Sequence, residues 1–495
     1  MRPLLFSLAL LFVACTESQT RPPPSDRFIY PSGIVHRPVA GSSHGVLYVS
    51  SANFDRCYDQ GTVMAVDLDK VTSSTGETLP PIGAAPSGDP VELEQLNLAS
   101  GSRLFIQSYA GEMAFRAASD LEVEDENGAK TTIRIPPRLF IPARSDGDFV
   151  HYININESEP ARLSCQGTDG EDCTRGALSL STNISGQTND VPRAYAPFGV
   201  SIDPSGNPWV THLNPADSPA QSRTNYASYV VALNGSVPSD QQPSLTTENF
   251  YSLNATDLPL GGSNSVVADE RYVFVSGRYD ANVISSTEAR RFLLRVVDKT
   301  NKSRLVDPGL DLGFAANDAR GIALTPKASS TDTGPRRMYI ATRTPDSLVT
   351  VSVTGIGPES ESPSLSVVGA VPLPNGPTEV ALVPRGSSST GVSHSELVVV
   401  SCSTAGVVAI YDPDVGQVVA QVAVGETRGT KVPQPFGLAV QQQGNAARVF
   451  VSNFSDGRIS VIDISDLSSP QSARLVAHIG ARQDTGSSTC QEVSQ

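Results

Sequence analysis

The 495-residue chain carries 51 acidic against 36 basic side chains, a formal charge of −15. A surface of that sign repels phosphate backbones and anionic headgroups, and no basic run interrupts it, so nucleic acid is excluded as a partner class. A 39% hydrophobic content with 40 Gly and 37 Pro against one Trp and four Met describes a folded chain of many turns and few long helices.

Residues 1–15 read as an export signal. Arg2 supplies the positive charge, and the apolar run Leu4 to Ala14 is too short to span a bilayer. The run ends Phe12-Val13-Ala14-Cys15, which resembles a bacterial lipobox and implies lipid attachment at Cys15. Thr16 in place of Asp points to the outer membrane, with the lipid as the only membrane contact. Residues 16–27, with three consecutive prolines, read as a semi-rigid tether.

A pattern then recurs over residues 28–480. A Pro-x-Gly-like opener starts a short apolar strand, an aromatic-Val-Ser/Thr strand follows, and an Asn/Asp/Gly turn leads to a third strand. The first copy is Pro31-Ser32-Gly33, Leu47-Tyr48-Val49-Ser50 and Gly61 to Asp67. A long gap follows; within 118–136 it holds an expected hairpin turning at Asn127-Gly128 that protrudes from the fold. The second copy, Leu139-Phe140-Ile141, is the least regular, and a Cys-containing insertion at 160–190 comes after it. The third is Pro197-Phe198-Gly199 with Pro208-Trp209-Val210-Thr211. Weaker copies centre on Phe274, Tyr339 and Val399. The clearest is the last: Pro435-Phe436-Gly437, Val449-Phe450-Val451-Ser452-Asn453 and Asp456 to Asp463, with a fourth strand at Ala473 to Ile479. Ser/Thr/Gly-rich stretches at 328–335 and 386–394 fall between first and second strands and read as surface loops. Residues 481–495 are a tail.

Seven such units predict an all-β, seven-bladed β-propeller of four-stranded antiparallel blades. One blade has two apolar faces and cannot bury both alone; packing blades round an axis does so. The units resemble the YVTN-repeat family of bacterial propellers through the second-strand motif and the opener. That resemblance implies the fold and little about activity. The motif's Asn survives best at Asn453 and is replaced by Ala143, His212, Gly277, Thr342 and Cys402 elsewhere.

Export favours disulfides. Cys165 and Cys173 are expected to pair locally. Cys490 is expected to pair with Cys57, clasping blade 7 to blade 1, with Cys402 as the competing partner.

There is no haem-attachment motif, zinc-protease motif, nucleophile elbow or P-loop. The remaining place for a site is the axis and the face where first strands begin. Phe198, Asn264, Arg320, Glu379 and Phe436 stand there. Arg320 and Glu379, on neighbouring blades, would either plug the channel as a salt bridge or grip a small anion or sugar. His36 and His212 read as packed histidines. The leading expectation is a non-catalytic envelope scaffold for a protein or glycan, without a cofactor. The alternative follows from propellers of related shape that are lactonases with axial calcium: Asn264 and Glu379 would supply two ligands, with no Asp to complete the set.

Overall fold

The computed structural model describes residues 21–483, apart from 85–87, 125–127, 146, 167–169, 181–194, 215–227, 239–242, 246–248, 254–259, 279–290, 301–309, 314–315, 328–333, 356–362, 386–395 and 427–431. The expected export signal with Cys15, the first part of the expected tether, the turn residue Asn127 and Cys490 therefore lie outside the described residues.

Seven antiparallel sheets stand round one axis. Blade 1 is Pro31–Arg37, Val46–Ser51, Gly61–Asp67 and Arg103–Ile106, from axis to rim. Blade 3 is Tyr195–Ile202, Pro208–Asn214, Tyr229–Ala232 and Phe250–Ser252. Blade 5 is Asp318–Leu324, Arg336–Arg343, Ser347–Thr354 and Ser364–Pro372; blade 6 is Pro377–Pro384, Glu396–Cys402, Val407–Asp412 and Gln417–Ala423. Blade 4 shows three strands among the described residues: Ser263–Ala268, Tyr272–Gly277 and Leu294–Asp298.

Blade 2 departs from the pattern at both edges. Its inner strand is the short Ala114–Arg116, followed by the Ser119–Glu124/Lys130–Ile135 hairpin before the second strand Arg138–Ala143. The hairpin forms a separate two-stranded sheet. Its exposed Arg134 bridges Asp120 and Glu157. The rim of blade 2 is split: Leu163–Cys165 and Leu178–Ser179 pair with opposite ends of Phe149–Ile155. The Cys165–Cys173 disulfide ties the end of the first piece to the loop that leads to the second. Cys57, in the second-to-third-strand loop of blade 1, is disulfide-bonded as well. Cys402 is free and buried, so it does not compete for Cys490.

Blade 7 is Pro435–Gln443, Ala446–Asn453, Arg458–Ile464 and Arg474–Ile479, and a fifth strand adds to it. This strand, Val91–Leu93, comes from blade 1, between that blade's third and fourth strands, and pairs in parallel with Ala477–Ile479. The sequence offers no signal for it; three residues are too few to show a period. Arg458 holds Glu92 at 2.6 Å, and the Arg448 guanidinium donates to the Pro80 carbonyl at 2.8 Å.

The core follows from the strand pattern. Second and third strands such as Val46–Ser51 and Arg458–Ile464 are buried along their whole length, whereas the rim strand Ser364–Pro372 is largely exposed. Their Val, Ile and Leu side chains contribute about 1.5–3 kcal/mol each when fully buried. One cluster joins Ile34, Leu47 and Val49 of blade 1 to Phe450, Val461 and Val476 of blade 7, so the seam is packed like the blades themselves.

The opener has a specific structural role. In six blades the first strand slips by one residue at the same place, for example between Pro31 and Ile34 or between Pro435 and Leu438. Such a bulge leaves an amide outside the ladder. The Ser/Thr of the second-strand motif takes it up. Ser452 Oγ accepts from the Gly437 amide at 2.8 Å and donates to the Ser32 carbonyl of blade 1 at 3.0 Å. Thr211 does the same for Gly199 and the Asn264 carbonyl of blade 4. Ser401 takes the Glu379 amide and donates to Phe436 of blade 7. The hydroxyl is thus a pin between consecutive blades. Pro142 and Ala341 stand at this position in blades 2 and 5 and cannot supply it.

Candidate functional site

The bulge register aligns three successive positions round the axis. The opener's middle residue is Ser32, Gly111, Phe198, Asn264, Arg320, Thr378 and Phe436 in blades 1 to 7. The next residue is Gly33, Glu112, Gly199, Ser265, Gly321, Glu379 and Gly437. Two residues beyond the hydroxyl position of each second strand stand Ala52, Arg144, Leu213, Arg278, Arg343, Ser403 and Phe454. These rings define the channel and its mouth.

In the second ring four glycines surround two glutamates, and space explains the choice. A Cβ on Gly199 would lie 2.2 Å from the Asn264 carbonyl oxygen, and one on Gly321 would lie 2.6 Å from the Glu379 Cα. Inner strands therefore approach closely, and the room left goes to Glu112 and Glu379. These come from blades 2 and 6, which are not neighbours, and their carboxyls are hydrogen-bonded to each other across the axis. Glu112 also accepts from Ser265 Oγ at 3.1 Å and the Val200 amide at 3.3 Å; Glu379 accepts from the Leu438 amide at 3.3 Å.

Both carboxyls are held above the ordinary range, chiefly by desolvation. They keep some exposed surface and line an axial cavity. A carboxyl–carboxyl hydrogen bond needs one proton, so the pair behaves as a unit that shares it. The cavity, about 310 Å³, starts at this level and continues along the inner strands. All seven blades line it, with Ile34, Met113, Val200, Val266, Ile322 and Leu438 among the apolar walls.

On the other side of the glutamates lies the mouth. Phe198 and Phe436, both expected at the axis, meet edge to face with ring centroids 5.8 Å apart. Since they belong to blades 3 and 7, their contact also crosses the axis. Phe436 continues to Phe454 at 6.3 Å and Phe454 to Phe54 at 5.5 Å, with Tyr30 and Tyr109 alongside. Phe54 is 48% exposed and the other members of this path are half-buried.

The opposite side of the mouth is basic. Arg320 donates to Asp318 at 2.7 Å and to Asn264 Oδ1 at 3.2 Å, and Arg278 shares Asp318. The expected Arg320–Glu379 salt bridge is not formed. Arg320 turns back along its own strand to Asp318, and Glu379 is taken by Glu112. Arg144 lies over the Phe198 ring at 5.6 Å and joins the two sides. Burial and mutual repulsion lower the pKa values of Arg144, Arg320 and Arg343; Arg278 acts on the first two and Arg320 on the third. Arg144 Nη1 and Arg320 Nε are buried with no hydrogen-bond partner among the described residues.

The fit to calcium is poor at the residues expected to hold it. Asn264 Oδ1 faces the Arg320 guanidinium, and its amide donates to the Ala319 carbonyl at 2.9 Å, so Asn264 and Glu379 do not converge. No group of three or more His, Cys, Asp or Glu placed to hold a metal occurs among the described residues. His36 stacks on Phe450, and His212 is buried with its pKa pushed down to about 4.

Glu112 was missed in the sequence. Gly111-Glu112 does not look like Pro-x-Gly, and the hairpin separates it from its second strand. The available signal was the lack of any opener for the second copy, which should have prompted a search upstream of the hairpin.

By its own sheet order the chain is a seven-bladed β-propeller whose axis is crossed by the Phe198–Phe436 and Glu112–Glu379 contacts. No family model matches it, and no curated protein does. Among solved structures it is similar to a candidate 6-phosphogluconolactonase from Bacteroides uniformis: 13% identity, TM-score 0.36, covering 79% of this chain and 94% of that one. Hydrazine synthase from Kuenenia stuttgartiensis gives 10% identity and a TM-score of 0.43, covering 88% and 96%. The dihydro-heme d1 dehydrogenase NirN in complex with DHE gives 9%, 0.39, 94% and 76%.

Proposed function

We propose that this protein is an exported, lipid-anchored envelope protein whose propeller is a non-catalytic scaffold for a protein or glycan. The observation that carries the reading is the mouth. A path of half-exposed aromatic rings runs beside a basic group over an axis crossed by Phe198–Phe436, and such surfaces serve contact with a partner. Residues 21–27, the second half of the tether, lie against blade 1: Arg21 covers the Tyr58 ring, and its carbonyl accepts from the Asp59 amide at 3.1 Å. The anchor at Cys15 would thus be close to the ring.

A second reading, a calcium-dependent lactonase-like hydrolase, draws on one observation: the carboxyl pair with its shared proton at the end of an axial cavity. Calorimetric titration of the purified protein with calcium separates the two. The scaffold reading expects no tight site and no lactone turnover. Tight binding lost in Glu379→Ala, together with turnover, would replace it. Membrane fractionation of Cys15→Ser tests the anchor; retention in the membrane pellet would exclude it.

A further inference from the structure

We infer that the mouth binds an anionic saccharide, with its acid groups on Arg144 and Arg320 and its sugar rings along the Phe198–Phe436–Phe454–Phe54 path. This deepens the scaffold reading and rests on it.

Three observations converge. First, Arg144, Arg278, Arg320 and Arg343 gather on one side of the mouth of a protein whose net charge is −15. Asp318 pairs with Arg278 and Arg320, while Arg343 is spent on the Gly376 and Pro377 carbonyls. Arg144 has no acid partner among the described residues. Guanidiniums that burden one another in a desolvated place are relieved by an incoming anion, which their planar forks suit. Second, Arg144 Nη1 and Arg320 Nε are buried donors left unsatisfied among the described residues, a state that normally carries a free-energy cost. Third, the aromatic path covers three ring-to-ring steps of 5.8, 6.3 and 5.5 Å and meets the basic side at the Arg144–Phe198 contact. One sugar ring would cover a fraction of it. The negative faces of aromatic rings attract the weakly positive C–H faces of a pyranose, and the path's length suits several linked rings. A free inorganic anion would use the arginines and ignore the path. A neutral sugar would use the path and leave the donors unmet.

The test is calorimetric titration of the full-length chain in detergent with hexagalacturonate, a heparin hexasaccharide, the methyl ester of hexagalacturonate, and sulfate. The expected result is binding of at least one acidic hexasaccharide, with the uncharged ester and sulfate each at least tenfold weaker. Arg144→Gln and Phe198→Ala should each weaken binding at least tenfold, while Arg134→Gln, on the distant hairpin, leaves it unchanged. Fluorescence of Trp209 checks that each variant is folded. Equal binding of ester and acid overturns the anionic preference and leaves a glycan scaffold standing. Sulfate binding as tightly as the saccharide reduces the site to a simple anion site and overturns the inference. Binding by none of the four also overturns it; crosslinking to an envelope protein would then keep the scaffold reading, and its absence would remove both.

Discussion

Replacing Glu112 with Gln should change how stability depends on pH more than how stable the protein is at its best. The fold keeps a proton on the Glu112–Glu379 pair above the range in which the unfolded chain releases it. The sign follows from linkage. A carboxyl raised in the folded state contributes stability that is complete below the unfolded value and is lost as pH rises through the folded one. Each pH unit over which the fold holds one extra proton is worth about 1.4 kcal/mol. Between pH 5 and pH 8 the loss is therefore at most about 4 kcal/mol. In Glu112→Gln the amide donates to the Glu379 carboxylate without needing that proton, so the loss should shrink to a small residue. Buried histidines such as His151 and His212, displaced downward by burial, lose stability in the opposite direction, toward acid. They do so equally in both proteins, so the difference between the proteins isolates the pair. Trp209, the single tryptophan, is buried with its ring tilted against Tyr251 and reports urea unfolding directly. Parallel midpoint-against-pH curves for wild type and Glu112→Gln from pH 5 to pH 8 would refute the shared proton.

Ser452→Ala should cost about 2–4 kcal/mol in the same assay, because it strands a buried amide and a buried carbonyl at the blade 7–blade 1 seam; a loss no larger than that of the exposed control Ser468→Ala would deny the hydroxyl its pinning role. Arg448→Met should cost about 3–5 kcal/mol, since it leaves Asp463, fully buried beside it, without its cation; denaturation midpoints near wild type would show that water reaches this pair. Replacing Cys165 and Cys173 together with serine should lower stability by about 2–3 kcal/mol on the chain-entropy estimate for so short a loop; mass spectrometry of the unreduced wild type checks the bridge, and a free thiol at either position would contradict it.

The sequence was most legible where one physical demand repeats. Opener, aromatic strand and turn recur because each blade solves the same burial problem, and the hydroxyl after the aromatic-Val pair recurs because each bulge frees the same amide. Legibility failed where the demand was met once. The opener of blade 2 is Gly111-Glu112, because a side chain that reaches across the axis must occupy a place otherwise held by glycine. Phe198, Phe436 and Glu379 were found at the axis by repeat position alone. Their partners were not: Phe198 meets Phe436 and Glu379 meets Glu112 from non-adjacent blades, and a linear pattern carries no information about which residues face each other across a ring. For the same reason the Arg320–Glu379 salt bridge, one of the two expectations for that pair, is not formed: Asp318, two residues away, holds Arg320.

The strand Val91–Leu93 gives the ring an unusual lock. The segment between the third and fourth strands of blade 1 leaves its own sheet and lies along the outer edge of blade 7, fastening the two at the rim. A latch lying parallel to the edge it grips, when tugged lengthwise, must give up all its hydrogen bonds at once instead of peeling open one by one.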